Sequence, residues 1–156
     1  MELSQESKVW IYQSDREFTE AELQQLTALL TDFTSSWTAH NQELKASFKI
    51  AYNRFIILLV DETLTGASGC SIDKSVRLMK DIEQEFGINL FDRFNIAWKE
   101  EDMVKTADRA TFENLVKNNS IHAQTTVFNN LVKTLGEFEA SWETPLENSW
   151  HARFFL

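Results

Sequence analysis

The sequence predicts a single α+β domain, residues 1–156, with a largely antiparallel sheet: a ferredoxin-like β-α-β-β-α-β start followed by a ββαβα-type extension. Three observations carry this expectation. Short β-branched and aromatic runs alternate with amphipathic helical patterns, and each of the two longest helical patterns is followed by a pair of strand-like runs. No internal repeat or Pro/Ser-rich linker interrupts that order, and the 156 residues, 43% hydrophobic, suit one core.

Val9-Trp10-Ile11-Tyr12 reads as the first strand. Thr19-Glu20-Ala21-Glu22 is a capping box, in which the threonine hydroxyl and the glutamate carboxylate satisfy unpaired N–H groups at a helix start. Leu23, Leu26, Leu30, Phe33 and Trp37 then recur every three or four residues, one apolar face of a helix running to about Ser36. Ser47 to Tyr52 and Phe55 to Asp61 read as two strands joined by a tight turn at Asn53-Arg54. The second is continuously apolar, which places it inside the sheet. A helix from Ser71 follows, with Ile72, Val76, Met79, Ile82 and Phe86 on one face and Gly87 to close it.

Phe94 to Lys99 and Met103 to Ala107 flank the acidic turn Glu100-Glu101-Asp102 and suggest a second hairpin, after which Ala110 to Lys117 reads as a short helix. Thr125 to Val132 suits either a strand or a helical face; we read it as a strand containing Asn129-Asn130. Thr134-Leu135-Gly136-Glu137 resembles a capping box for a helix to about Trp142, ended before Pro145. In the ferredoxin-like arrangement the first and third strands are central.

The charge balance narrows the function classes. Lys and Arg total 15 against 24 Asp and Glu, a net charge of −9, which opposes nonspecific attraction to nucleic acid and anionic lipid. No nucleic-acid partner is expected, and the five tryptophans, without interleaved Lys or Arg, read as core and lid residues. No stretch has the length or apolarity of a membrane helix and no secretory signal is recognisable, so a cytoplasmic protein is expected. One cysteine excludes an internal disulfide, and the three histidines fit no metal-ligand spacing, so neither metal nor cofactor is expected.

The feature with most chemical potential is Gly66-Ala67-Ser68-Gly69-Cys70-Ser71-Ile72-Asp73, a glycine-rich turn entering a helix, where backbone N–H groups and the helix dipole favour an anion or a thiolate. The predicted topology collects Trp37, His40, Lys45, Asp61, Glu62 and this turn at one sheet edge, and Arg16, Asn53-Arg54 and Asp92-Arg93 at the other. The leading expectation is a small anionic or polar ligand held by Gly66, Ser68, Gly69, Cys70 and Ser71, with Lys45, His40 and Arg153 as further contacts. The second is an enzyme using Cys70 in acyl or thiol chemistry, with His40 or His151 as base and Asp61 or Asp73 orienting it. Against both stands a plainer reading in which Cys70 packs as a small buried residue, Ser71 caps the helix and Asp73 favours its positive end. The third is an interaction scaffold, which a large exposed aromatic patch at the C-terminal tail would favour; within residues 149–155 the tail either folds back over a pocket or is pinned to the core by Trp150 and Phe154.

The chain resembles a family of short, uncharacterised cytosolic bacterial proteins often labelled "ABC transporter ATPase". The likeness lies in Trp37-Thr38-Ala39-His40, the Gly66–Asp73 stretch, Val127-Phe128-Asn129-Asn130-Leu131 and Ser149-Trp150-His151-Ala152-Arg153. The label implies ATP hydrolysis, which requires G-x-x-x-x-G-K-[ST] so that the loop wraps the phosphates and the lysine reaches them. The glycines are Gly66, Gly69, Gly87 and Gly136, no pair has that separation, and the first lysine after Gly69 is Lys74. A P-loop ATPase is excluded.

Overall fold

Strand β1 (Lys8–Gln13) pairs antiparallel with β5 (Phe55–Asp61), from Lys8 opposite Val60 to Gln13 opposite Phe55. β4 (Lys45–Ala51) pairs with the other side of β5, giving the order β1-β5-β4. These pairings are seen in a computed structural model that describes residues 2–156. The predicted split β-α-β is therefore present: a hairpin places β5 between β4 and β1. The hairpin turns at Tyr52 and Asn53, both with positive φ (52° and 54°), and Arg54 N–H donates to the Ala51 carbonyl at 3.0 Å. This is the type I′ geometry whose twist matches that of the flanking strands.

All seven residues of β5 are buried. Ile56, Leu58 and Val60 join a core with Leu26 and Leu30 of helix α1 (Glu20–Ser36) and Met79 and Ile82 of helix α2 (Gly69–Phe86). Phe55, Ile57 and Leu59, on the alternate face, are equally enclosed. Burial on both faces is why this run is apolar without alternation.

The chain divides into two compact units: the residues up to Phe91 together with Lys133–Gly136, and Asp92–Val132 together with Glu137–Leu156. The division corrects the expected fourth strand of the ferredoxin-like sheet. Residues 94–99 contribute instead to β6 (Ile96–Glu100) in the other sheet, and β1 lies at the edge of the first. The outer side of β1 is met by Lys133-Thr134: Val9 N–H donates to the Lys133 carbonyl at 3.0 Å, and Lys8 bridges Thr134. An edge offers one row of hydrogen-bonding groups, and this segment uses part of it.

The helix ends follow local chemistry. Glu22 N–H donates to Thr19 Oγ1 at 3.1 Å and Thr19 N–H to Glu22 Oε1 at 2.9 Å, closing the predicted capping box. α2 begins earlier than expected: Ser68, not Ser71, is its cap. Ser71 N–H donates to Ser68 Oγ at 3.1 Å and Ser68 N–H to Ser71 Oγ at 2.7 Å. The buried face is Ser71, Ser75, Met79, Ile82 and Phe86, with Ile72 and Val76 half-buried. Gly87 closes the helix at φ 63°, a conformation that glycine adopts without a Cβ penalty. An unpredicted two-residue hairpin, β2 (Thr38–Ala39) with β3 (Gln42–Glu43), lies between α1 and β4.

In the second unit β6 and β7 (Met103–Ala107) form the predicted hairpin, with Glu101-Asp102 as its two-residue loop. Helix α3 (Arg109–Lys117) is capped by Asp108, whose Oδ1 accepts from Thr111 N–H at 2.8 Å. β8 (Thr126–Phe128) pairs with β6, helix α4 (Leu135–Ser141) follows, with only its residues from Glu137 on in this unit, and an unpredicted β9 (Glu143–Pro145) adds to β8, giving β7-β6-β8-β9. Pro145 is tolerated because β9 is an edge strand. Ile96, Trp98, Phe112, Ile121, Val127 and Leu146 form the core. Asn129-Asn130, expected inside a strand, lies just beyond the end of β8. Asn129 Oδ1 accepts from Leu131 N–H at 3.1 Å and Asn130 Oδ1 from Trp142 Nε1–H at 2.9 Å.

Candidate functional site

The glycine turn is longer than its composition suggests, running from the end of β5 at Asp61 to the cap at Ser68. Its inner surface is filled by the protein itself. Glu62 Oε2 accepts from Ala67 N–H at 2.9 Å, while Glu62 Oε1 pairs with Lys8 at 3.1 Å. A Cβ on Gly66 would lie 2.7 Å from Glu62 Oε2, so the glycine is what lets the carboxylate approach. With Ser68 and Ser71 satisfying each other, a carboxylate and two hydroxyls occupy N–H groups that an external anion would need.

Of the residues expected at one sheet edge, Lys45 is joined to Asp61 and Trp37 to Ser71, while among the described residues His40 is bonded to none of them. Lys45, opposite Asp61 in the ladder, pairs with its Oδ2 at 3.3 Å. Asp61 is 2% exposed and also accepts from Thr63 Oγ1–H (2.6 Å), Thr63 N–H (3.0 Å) and Ser4 N–H (3.0 Å). The Thr63 hydroxyl, foremost among these donors, holds its carboxyl well below the ordinary range. Trp37 Nε1–H donates to the Ser71 carbonyl at 2.9 Å. These are internal bonds, and they commit Lys45 to Asp61 and Ser71 to the helix end.

Cys70 is exposed, which corrects the expectation of a small packed residue, and among the described residues it has no hydrogen bond to an imidazole. His40, at φ 53° between β2 and β3, and Asp73 on α2 are exposed as well. The described residues hold no cluster of His, Cys, Asp and Glu suited to a metal ion. At the other edge, the Arg16 guanidinium grips both oxygens of Glu22 (2.7 and 2.8 Å) and the Phe86 carbonyl (2.7 Å). That pairing lowers the Glu22 pKa to about 2 and leaves Arg16 little capacity for an external anion.

The last residues of the second unit are organised differently. Sequence positions 150 to 155 form one turn leading into helix α5 (Ala152–Phe155), and positions four apart share a face. His151 and Phe155 face inward: His151 is 3% exposed, and the Phe155 ring meets Phe112 edge-on at 4.8 Å. His151 Nδ1 and Ser149 Oγ share a hydrogen bond of 2.6 Å, and burial pushes the imidazole pKa down to about 4. Trp150 and Phe154 do not pin the terminus: they face outward, 37% and 53% exposed, with ring centroids 6.0 Å apart, and the inward positions are taken by His151 and Phe155. Trp150 stacks on His151 at 3.8 Å, and the Arg109 guanidinium lies 5.4 Å above the Phe154 ring. Arg153 is exposed on the same turn.

A cleft of about 370 Å³ in this unit is lined by Trp98, Glu100, Ser120, His122, Gln124 and Thr126, among others. Its polar groups are largely engaged. Glu100 pairs with Lys105, Gln124 with Glu147, and His122 Nδ1 accepts from Gln124 N–H at 3.2 Å. Reasoning from sequence passed over both this cleft and Arg109; the signal for the latter was a cation at the first helical position beside an aromatic tail.

The architecture is α+β with largely antiparallel sheets, and among the described residues no helix is long and apolar enough to cross a membrane. No protein-family model matches the chain, and comparison with curated proteins and with solved structures finds no match to it.

Proposed function

We propose that this protein is an interaction module that engages a protein partner through the outward face of its closing turn, centred on Trp150 and Phe154. The observation that carries the reading is the division of a single turn into an anchored inner face, His151 and Phe155, and an exposed aromatic outer face. Leaving Phe154 half-exposed and Trp150 about a third exposed forgoes only part of the about 1.5–3 kcal/mol that full burial of a side chain such as phenylalanine is worth. Stacking on the buried His151 holds the Trp150 ring in place before any partner arrives, which lowers the ordering cost of binding. Tryptophan and arginine together are the composition of binding hot spots.

The polar-ligand reading of Gly66, Ser68, Gly69, Cys70 and Ser71 has less support, because Glu62 and the reciprocal serine cap use the N–H groups it needs. The thiol-enzyme reading has less still, since Cys70 lacks an imidazole partner and His151 shares its Nδ1 with Ser149. A photo-crosslinking amino acid at position 154 of the full chain tests the proposal in the cells that express it. A discrete protein adduct, absent with the probe at exposed Gln84 and lost in Trp150→Ala, is expected. Equal adducts at both positions, or none at 154, would overturn it. Thermal denaturation of Trp150→Ala separates a lost contact from a lost fold.

A further inference from the structure

We infer that the partner segment docking on Trp150 and Phe154 is acidic and carries an apolar anchor. This rests on the interaction reading above and is carried by a separate observation, the distribution of unpaired charge. In the second unit Lys99, Lys105 and Lys117 are each held by a glutamate, Glu143, Glu100 and Glu113. Arg93, Arg109 and Arg153 form no ion pair among the described residues, and of these three Arg109, over the Phe154 ring, and Arg153, on the closing turn, accompany Trp150 and Phe154.

Arg109 is also placed at a cost. It is the first residue of α3, where the helix dipole is positive and a cation is unfavourable. The carboxylate beside it, Asp108, is committed to capping the same helix through Thr111 N–H, and Glu113 is paired with Lys117. A guanidinium over an aromatic ring retains in-plane donors that match a carboxylate in bidentate fashion. The net charge of −9 would repel an acidic partner at long range, so such a partner would be received where cations are locally unpaired. Trp150 and Phe154 supply apolar contact, and Arg109 and Arg153 supply carboxylate recognition.

The test pans a random peptide library against the full chain and then measures the best binder by fluorescence anisotropy. Peptides rich in Asp and Glu around one large apolar residue are expected. Affinity should fall about tenfold or more in Arg109→Gln/Arg153→Gln, with little change in Arg93→Gln, which removes a charge from a different loop. Partial rescue by Arg109→Lys would separate charge from bidentate geometry. Enrichment of neutral or basic peptides at the same aromatics would overturn the inference and leave the interaction reading standing; no enrichment dependent on Trp150 would overturn both. Binding to phosphatidylserine vesicles without acidic peptides would assign the patch to a lipid surface. A concentration-dependent dimer abolished by the same arginine substitutions would assign it to a second copy. Either result would overturn the inference.

Discussion

Single residues in this protein show how far an amino-acid type predicts its chemistry. Gly66 sits in the loop as expected, yet its use is to admit the Glu62 carboxylate, which is invisible until the loop is folded. Gly66→Ala should therefore cost about 1 kcal/mol in urea denaturation, the worth of one hydrogen bond, and should cost little in a Glu62→Ala background. His151 gives a pH signature. An unfolded histidine titrates near 6.5 and the folded one near 4, so below about pH 6.5 the unfolded chain gains a proton that the native state refuses. Its contribution should be intact above pH 6.5 and decline as the pH falls toward 4, by about 3 kcal/mol at most. The stability profile of His151→Gln should lack that slope; an unchanged profile would refute the assignment. Residue types alone offered Cys70 as a nucleophile and left His40 and His151 as alternative bases, because exposure and partners are properties of the folded chain.

Among elements, the ends of helices were the most legible and the short strands the least. The box at Thr19 and Glu22 and the stop at Gly87 depend on groups within a few residues of one another, so local sequence contains the whole interaction. Ser68 and Ser71 both suit a cap by composition; in the folded chain Ser68 has the extended backbone of a cap (φ −93°, ψ 166°), while Ser71 is already helical and buried. Ser68→Ala should cost about 1 kcal/mol, measured by chemical denaturation, through loss of the bond from Ser71 N–H. No destabilisation would show that the cap is dispensable. β9 and the β2–β3 hairpin escaped prediction because two or three residues carry no periodicity, and Pro145 argues against a strand unless the strand is known to be at an edge.

Across the whole chain, each unit has its own core, and deep truncation should expose this. Phe112→Ala removes a fully buried ring against Trp98 and Phe155 and should cost about 3–5 kcal/mol. Fluorescence-monitored unfolding will check the figure; a cost below about 1 kcal/mol would mean that this core is not packed as described. The exposed pair Trp150 and Phe154 belongs to the same scale, since only the complete second unit decides which side of the turn meets the core.

Periodicity, cap residues and charge sufficed to establish the α+β class, the position of the principal helices and the order β1-β5-β4, because hydrophobic pattern and hairpin connectivity are written along the chain. Which strand borders β1, which serine faces inward, what fills the glycine turn and which aromatics remain outside were settled by the folded chain. Each depends on groups far apart in sequence competing for one edge, one pocket or one N–H, and a linear pattern cannot rank competitors it does not place in contact.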